Sequence, residues 1–135
     1  MKIEAPESDY LYIQDSQLEK AGKGLFTAIA IYPNEVISIF KGEILSVKEV
    51  QKRSAEGNDR YFINMLDGST MDSMHVDCFA KYANDAKAFN KTGLKNNAKI
   101  SLDDDDNVCL MATRKINPME EIFCSYGAIY WKKYI

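Results

Sequence analysis

Residues 120–131 read EEIFCSYGAIYW and combine a strand-like apolar run with a tyrosine and a glycine. Tyr126 ends the run, and Gly127 follows it directly. A core position would favour phenylalanine, because the hydroxyl of a buried tyrosine has to find a hydrogen-bond partner. We therefore treat the phenol at position 126 as a candidate functional group, and we infer its role from the rest of the chain.

Size and charge limit the partners of this chain. Its 135 residues, 46% of them apolar, predict one globular domain over residues 1–135, in which residues 1–9 are the part most open to flexibility. A formal net charge of −3 predicts no direct nucleic-acid binding, and no apolar run reaches the roughly 18 residues that a membrane-spanning helix needs. We expect a basic polypeptide partner and, since the N-terminus does not resemble a signal peptide, an intracellular protein of the nucleus or cytoplasm.

The three cysteines, Cys78, Cys109 and Cys124, are scattered and odd in number. That pattern favours buried, reduced thiols over a disulfide framework. The chain has no C-x-x-C pair and a single histidine, His75, so a structural zinc site would lack ligands. The sequence therefore predicts no metal site.

Most of the chain alternates short apolar runs with turn residues, which is typical of a mainly β protein. The predicted strands are residues 10–13, 25–28, 36–40, 43–45, 61–65, 70–73, 98–102 and 108–113. We expect the third to pair with the fourth across Lys41-Gly42 and the fifth with the sixth across Asp67-Gly68. The last two should form a hairpin with a solvated tip, because the aspartates at 103–106 lack the alternating ligands and central glycine of a calcium loop.

Two helices and one long loop complete the predicted elements. Ser46 and Glu49 have the spacing of a capping box, in which each side chain satisfies a free amide at a helix start, so we expect a helix from Val47 to Ala55. A second, short helix is expected over Val76–Tyr82. Residues 84–97 are polar and numerous enough to form a functional loop rather than a simple connection.

Four short motifs follow one another along the chain. They are Gly22-Lys23-Gly24-Leu25-Phe26, Phe40-Lys41-Gly42-Glu43, Lys81-Tyr82-Ala83-Asn84-Asp85-Ala86 with Asn96-Asn97-Ala98, and Glu121-Ile122-Phe123-Cys124-Ser125-Tyr126-Gly127. Each motif alone is weak, but in this order and spacing they resemble the SET-domain family of protein lysine methyltransferases, over residues 10 to 131. The resemblance implies a fold of several small β-sheets with short helices and a C-terminal pseudoknot, in which the end of the chain passes under a preceding loop.

The same resemblance implies S-adenosylmethionine as cofactor. Gly22, Lys23, Gly24 and Leu25 would present backbone to it, and Asn84 and Asp85 would cap it from the 84–97 loop. Asp85 stands where the family usually has histidine. We expect no cysteine-rich zinc segment of the kind that usually follows the domain, since an aromatic segment takes its place in residues 128–134. In that segment Trp131 or Tyr130 would close over the adenine side of the cofactor, or else the segment would pack on the core.

A channel for the substrate lysine is also implied. Its walls would be Phe40, Tyr61, Cys124 and Tyr126, with the Tyr126 hydroxyl as the catalytic group that directs an oxygen at the transferred methyl. Phe40 stands where the family commonly has a tyrosine, and Cys124 stands where the family often has an aromatic residue. These replacements predict a roomier, less polar channel that accepts a lysine already carrying a methyl group.

The substrate expected from the resemblance is a histone tail or another basic peptide segment. Such a peptide would dock in an acidic groove with Glu56, Asp59, Asp67 and Asp72 as rim charges. Because the chain shows no substrate-recognition module of its own, we expect a homodimer or a targeting partner. The alternative is a SET-like module with weak or no catalysis, which binds peptides or regulates another subunit.

Overall fold

The computed structural model describes residues 3–18, 21–65, 67–86 and 93–124. Within these ranges the chain forms three separate antiparallel sheets of three strands each, with two α-helices and one 3-10 turn. The prediction of a mainly β fold built from several small sheets with short helices is confirmed. No helix in this part of the chain has the length and apolar character that crossing a membrane requires.

The helices and strands are short and follow one another closely. In chain order they are α1 (Glu7–Tyr10), β1 (Leu11–Asp15), β2 (Lys23–Thr27), β3 (Val36–Ile39), β4 (Glu43–Leu45), α2 (Val47–Ala55), β5 (Phe62–Asn64), β6 (Thr70–Asp72), the 3-10 turn Ala80–Tyr82, β7 (Ala98–Leu102), β8 (Val108–Ala112) and β9 (Glu121–Ile122). The eight predicted strands are all present, with bounds within two residues. Tyr10, predicted to open the first strand, ends α1 instead.

The centre of the apolar core is the sheet with strand order β3-β8-β7. Its inward side chains include Ile37, Ile100 and Leu110, all buried. The predicted β7–β8 hairpin is confirmed, and its tip is ordered by Asp103, whose Oδ1 accepts the N–H groups of Asp105 (2.9 Å) and Asn107 (2.8 Å). Aspartates 104–106 are exposed, as expected of a solvated tip.

The predicted pairing of β3 with β4 is wrong. Strand β3 pairs with β8, and β4 pairs with β6 in a second sheet of order β4-β6-β5. The chain crosses between the two sheets at Gly42, where an added Cβ would lie 2.7 Å from the carbonyl carbon of Asp72 and closer still to its oxygen. Ser73 Oγ donates to the Lys41 carbonyl at 2.7 Å on the same crossing. Gly42 therefore permits a close backbone crossing, not a hairpin turn.

The predicted helix over Val76–Tyr82 is also wrong, since only Ala80–Tyr82 are helical, as a 3-10 turn. Lys81 explains the irregular segment before that turn. Its Nζ donates to the carbonyls of Ser73 (3.1 Å), Met74 (3.3 Å) and Val76 (2.9 Å). The Lys81 side chain thus supplies hydrogen bonds to backbone carbonyls of this irregular segment, which buried carbonyls in a helix would obtain from backbone amides.

Helix α2 has the predicted bounds, and Ser46 Oγ accepts the Glu49 N–H at 3.1 Å as a cap. The Glu49 carboxylate serves a different partner and accepts from Arg53 Nε at 2.8 Å. Arg53 also reaches Glu43 and Asp72, and the Asp72 side chain is fully buried. The prediction of Asp72 as a charge on the rim of a substrate groove is therefore wrong.

The C-terminal strand lies between β2 and both ends of the 84–97 segment. Strand β9 pairs with β2, and the Cys124 N–H donates to the Asn84 carbonyl at 2.9 Å. From the other end, the Asn97 N–H donates to the Phe123 carbonyl (3.0 Å), and the Phe123 N–H returns to Asn97 Oδ1 (2.8 Å). This enclosure of residues 121–124 agrees with the pseudoknot expected at the end of the chain.

The N-terminal helix α1 is tied to β3 by side chains. Glu7 accepts from Ser38 Oγ at 2.5 Å and from the Ile39 N–H at 3.1 Å. Tyr10 donates its hydroxyl to the Ile37 carbonyl at 2.7 Å, and burial together with the nearby Glu7 charge raises the pKa of this phenol. The greater flexibility of residues 1–9 stays a prediction.

Candidate functional site

A cleft of about 430 Å³ lies where three distant segments of the chain meet. The residues that line it are Ala21, Gly22, Lys23, Arg60, Tyr61, Lys81, Tyr82, Ala83, Asn84 and Asp85. Five residues named from the sequence, Gly22, Lys23, Tyr61, Asn84 and Asp85, are thus brought together although they are up to 63 positions apart. Pockets of this size suit a small organic ligand, whose usual pocket volumes are about 300–1,000 Å³.

The backbone conformation at position 22 favours glycine. Its φ of +76° lies in the left-handed region, and a Cβ built there would meet no atom within 4 Å. The Gly22 carbonyl accepts the Ser16 N–H at 2.8 Å, which closes the turn between β1 and β2. The glycine therefore serves the turn and leaves open backbone at the edge of the cleft.

Gly24 and Leu25 are placed differently from Gly22 and Lys23. Both are buried in β2, and neither lines the cleft. Leu25 belongs to the apolar core, opposite Ile122 in the β2–β9 pair. The roles predicted for these two residues in cofactor binding stay predictions.

Asn84 joins two walls of the cleft. Its Nδ2 donates to the Lys23 carbonyl at 2.9 Å, while its own carbonyl accepts the Cys124 N–H. Asp85 beside it accepts from Asn96 Nδ2 at 3.1 Å. The side chain of Asn84 thus ties the start of the 84–97 loop to the start of β2, and both segments line the cleft.

The cleft carries more positive than negative charge, although the chain as a whole is acidic. Lys23, Arg60 and Lys81 line it together with one carboxylate, Asp85. The Arg60 guanidinium lies 4.9 Å from the centre of the Tyr61 ring, and Lys81 Nζ lies 5.8 Å from the same ring. Aromatic faces hold cations in this way. A ligand that carries a carboxylate would find complementary charge here.

Asp15 forms an ion pair with Lys23 at the rim of the cleft. Its Oδ1 accepts from Lys23 Nζ at 2.7 Å, and this hydrogen bond lowers the pKa of the Asp15 carboxyl. Both side chains are largely exposed, so the ion pair is weak and Lys23 can exchange Asp15 for another partner.

The proposed lysine-channel residues are in different environments. Tyr61 is half-buried and lines the cleft, whereas Phe40 and Cys124 are buried within the apolar core. Tyr126 and Trp131 lie outside the described residues, so their predicted roles stay predictions. Cys78 and Cys109 are buried free thiols as predicted, and burial raises the pKa of Cys109 to about 11.

A larger cavity of about 690 Å³ lies on the other side of Tyr82. Apolar residues of this cavity include Ile13, Ile39 and Phe79, and Tyr82 lines both cavities. In the sequence, Tyr82 was notable only as part of the third motif. Its position identifies it as part of the wall that separates the two cavities.

Sequence reasoning missed two residues, Arg60 on the cleft and Glu121, a buried residue that contacts Ser16 and Gln17 behind it. Arg60 had a usable signal, a cation directly before an aromatic residue at the start of a strand. Glu121 had another, a carboxylate inside the apolar run that forms β9. Within the described ranges, no three side chains among His, Cys, Asp and Glu are grouped as they would be around a metal ion.

A comparison with protein-family models gives a match to the model described as "SET domain", over residues 22–127. The match begins at the glycine with positive φ on the edge of the cleft and ends one residue after Tyr126. It covers most of the chain, including eight of the nine strands wholly or in part.

Proposed function

The chain belongs to the SET-domain family, and on that premise we propose that it is an S-adenosylmethionine-dependent protein lysine N-methyltransferase. Members of this family are typically protein lysine methyltransferases. The observation that carries the proposal is the cleft itself, in which the Gly22-Lys23 backbone, the Asn84-Asp85 pair and the cations Arg60 and Lys81 share one concave surface.

The cleft fits the cofactor in size, and its cations suit the carboxylate of the cofactor. S-adenosylmethionine supplies an electrophilic methyl group on a sulfonium, and its amino-acid end carries a carboxylate. We assign that carboxylate to the side of Arg60 and Lys81, because both are cations that line the cleft. Gly22 and Lys23 offer backbone groups for the rest of the molecule, and Trp131 is proposed to stack on the adenine.

The protein's own part in the chemistry is mainly orientation and desolvation. A substrate lysine has to arrive as the neutral amine, and a dry channel beside a positive ligand lowers the pKa of that amine. Tyr61 supplies an aromatic wall on the cleft, and Phe40 and Cys124 are proposed further along the same path. Tyr126 is the proposed catalytic residue on the strength of its motif.

The proposed substrate is a histone tail or another basic peptide segment. Glu56, Asp59 and Asp67 are exposed on the part of the chain that contains α2 and the β5–β6 hairpin, and they provide negative charge for such a peptide. Direct binding to nucleic acid or membrane is not part of the proposal. Homodimerisation or a targeting partner would supply the missing selectivity, in the nucleus or the cytoplasm.

The experiment that tests the function is methyl transfer from labelled S-adenosylmethionine to core histones and to an array of basic peptides. The Tyr126→Phe variant runs beside the parent, with Tyr32→Phe as matched control because Tyr32 is exposed at a turn. We expect label with the parent and with Tyr32→Phe, and a loss of about 100-fold or more with Tyr126→Phe.

Two outcomes would contradict the proposal in different ways. Cofactor binding without transfer to any substrate would favour the alternative, a peptide-binding or regulatory module. Absence of cofactor binding would contradict both the proposed activity and the proposed cofactor.

Mass spectra of the product test the proposal of a roomier channel. A product limited to monomethyl-lysine at saturating cofactor would argue against that channel.

A further inference from the structure

Glu121 is a carboxylate in the interior of the protein, with only 2% of its surface exposed. Strand β9 carries it into the space beneath the turn between β1 and β2. Its Oε2 accepts the Ser16 hydroxyl at 2.6 Å, and its Oε1 accepts the Gln17 N–H at 2.7 Å. The carboxylate therefore holds the beginning of the segment that leads to the cleft.

The contact with Ser16 extends to the cleft through the backbone. Ser16 Oγ also accepts the Leu18 N–H at 3.0 Å, and the Ser16 N–H donates to the Gly22 carbonyl at 2.8 Å. Ser16 thus links Glu121 to the residue with positive φ on the cleft edge. On its other side, the Glu121 carbonyl accepts from Asn97 Nδ2 at 3.0 Å, which anchors β9 to the 84–97 loop.

Gly24 leaves the space that this carboxylate occupies. A Cβ built on Gly24 would lie 2.9 Å from Cδ of Glu121 and closer still to Oε2. Real Cβ atoms do not approach other atoms so closely, so a side chain at position 24 would displace the carboxylate from Ser16 and Gln17. Gly24 is buried and does not line the cleft.

We propose that Glu121 is a positioning residue for the cleft wall formed by residues 21–23, and that it acts on this wall through residues 16–18. We further propose that Gly24 lacks a side chain to admit the Glu121 carboxylate, not to admit the cofactor. The inference rests on the proposed function for the identity of the ligand, S-adenosylmethionine. The contact between Glu121, Ser16 and Gly24 can be tested without any ligand.

The test is a double-mutant cycle of Gly24→Ala and Glu121→Ala, read out as the Kd for S-adenosylmethionine by calorimetry. Each single variant should bind about tenfold more weakly, because hydrogen bonds to a buried charge are lost. Adding Gly24→Ala to Glu121→Ala should change Kd by less than about twofold, since the methyl group enters the vacated space. Equal weakening by Gly24→Ala in both backgrounds would assign Gly24 to the ligand and overturn the proposal.

A conservative variant separates positioning from general stability. Glu121→Gln keeps an acceptor for the Gln17 N–H and can donate to Ser16 Oγ, so it should restore most of the affinity that Glu121→Ala loses. Glu120→Gln is the neighbouring control, because the Glu120 carboxylate accepts from Asn117 in a separate turn. If Glu121→Gln binds the cofactor as weakly as Glu121→Ala does, and amide exchange is raised throughout β2 and β9, then Glu121 is a structural residue only.

Amide hydrogen exchange of the ligand-free protein completes the test. Glu121→Ala should speed exchange at Gln17 and Leu18 by about tenfold while exchange in β8 stays unchanged. If the parent does not bind the cofactor, the proposed function fails and this exchange result still decides the role of Glu121. Unchanged exchange at Gln17 and Leu18 would refute the positioning role.

Discussion

Two regions of the molecule are held together by different forces. The sheet of β3, β8 and β7 is stabilised by buried aliphatic side chains such as Ile37, Ile100 and Leu110. In the region from β4 to β6, helix α2 buries none of its residues. There Arg53 holds the parts together by ion pairs to Glu43 (3.2 Å), Glu49 (2.8 Å) and Asp72 (2.8 Å).

The difference indicates where the cleft is rigid and where it can adjust. Lys23 and Asn84 reach the cleft from parts of the chain that pack on the apolar core, whereas Arg60 and Tyr61 reach it from the region that Arg53 organises. Elements with few buried apolar contacts open at lower free-energy cost than the global unfolding reaction. We therefore expect the Arg60-Tyr61 wall to respond to changes in charge that leave the core sheet unaffected.

The largest effect should come from the core sheet. Leu110→Ala removes a fully buried side chain in β8 and should lower the free energy of unfolding by about 3 kcal/mol, through lost burial and a residual cavity. Ile44→Ala in β4, where the side chain is 60% exposed, is the control and should cost less than about 0.5 kcal/mol. Denaturant titration measures both, and similar losses for the two variants would refute the comparison.

A smaller, local effect should come from the polar region. Asp72→Asn keeps an acceptor for the Met74 N–H but removes the charge that faces Arg53. Amide exchange in α2 and β6 should become about tenfold faster, while exchange in β7 and β8 stays as in the parent. Asp59→Asn is the matched control, since Asp59 is exposed and accepts only a long hydrogen bond from Ser54 (3.3 Å). Faster exchange in both regions would show that they open together.

The smallest effect should be a loss of stability of α2 at acidic pH. The hydrogen bond from Arg53 lowers the pKa of the Glu49 carboxyl below its ordinary value of 4.5. A lowered folded-state pKa adds stability above the unfolded-state pKa, and that stability is lost as the pH falls through the folded-state pKa. Exchange protection of α2 should therefore decline below about pH 4.5, after correction for intrinsic rates, and the decline should be shallower in Glu49→Gln. An identical pH profile in the variant would exclude Glu49 as its source.

Much of the fold follows from short-range patterns. The turns Tyr32-Pro33-Asn34-Glu35 and Asn117-Pro118-Met119-Glu120 each have proline at the second position, and both have the same backbone form. Asn34 and Met119 each have φ of +71°, and the fourth residue donates to the first carbonyl at 3.1 Å in each turn. Proline before a residue with positive φ accounts for this turn type without any distant contact.

The candidate site was predictable only in part. The glycine and asparagine motifs identified Gly22, Lys23, Asn84 and Asp85, which the fold places along one cleft. Arg60 was not identified, because its local signal, a cation directly before an aromatic residue, does not show which distant segments will surround it. Asp72 was assigned to an exposed rim for the same reason, since its burial depends on Arg53, 19 positions away.

The sequence by itself determined the strands, helix α2 and the family, because each of these depends on neighbouring residues or on motifs that can be recognised in order. Only the tertiary structure decided that β3 pairs with β8, that Gly42 serves a backbone crossing and that Gly24 faces Glu121. The Ser16–Glu121 contact joins residues 105 positions apart. Local propensity carries no information about which segments meet at such separations, because the meeting is decided by how the whole chain buries its apolar faces and satisfies its polar groups.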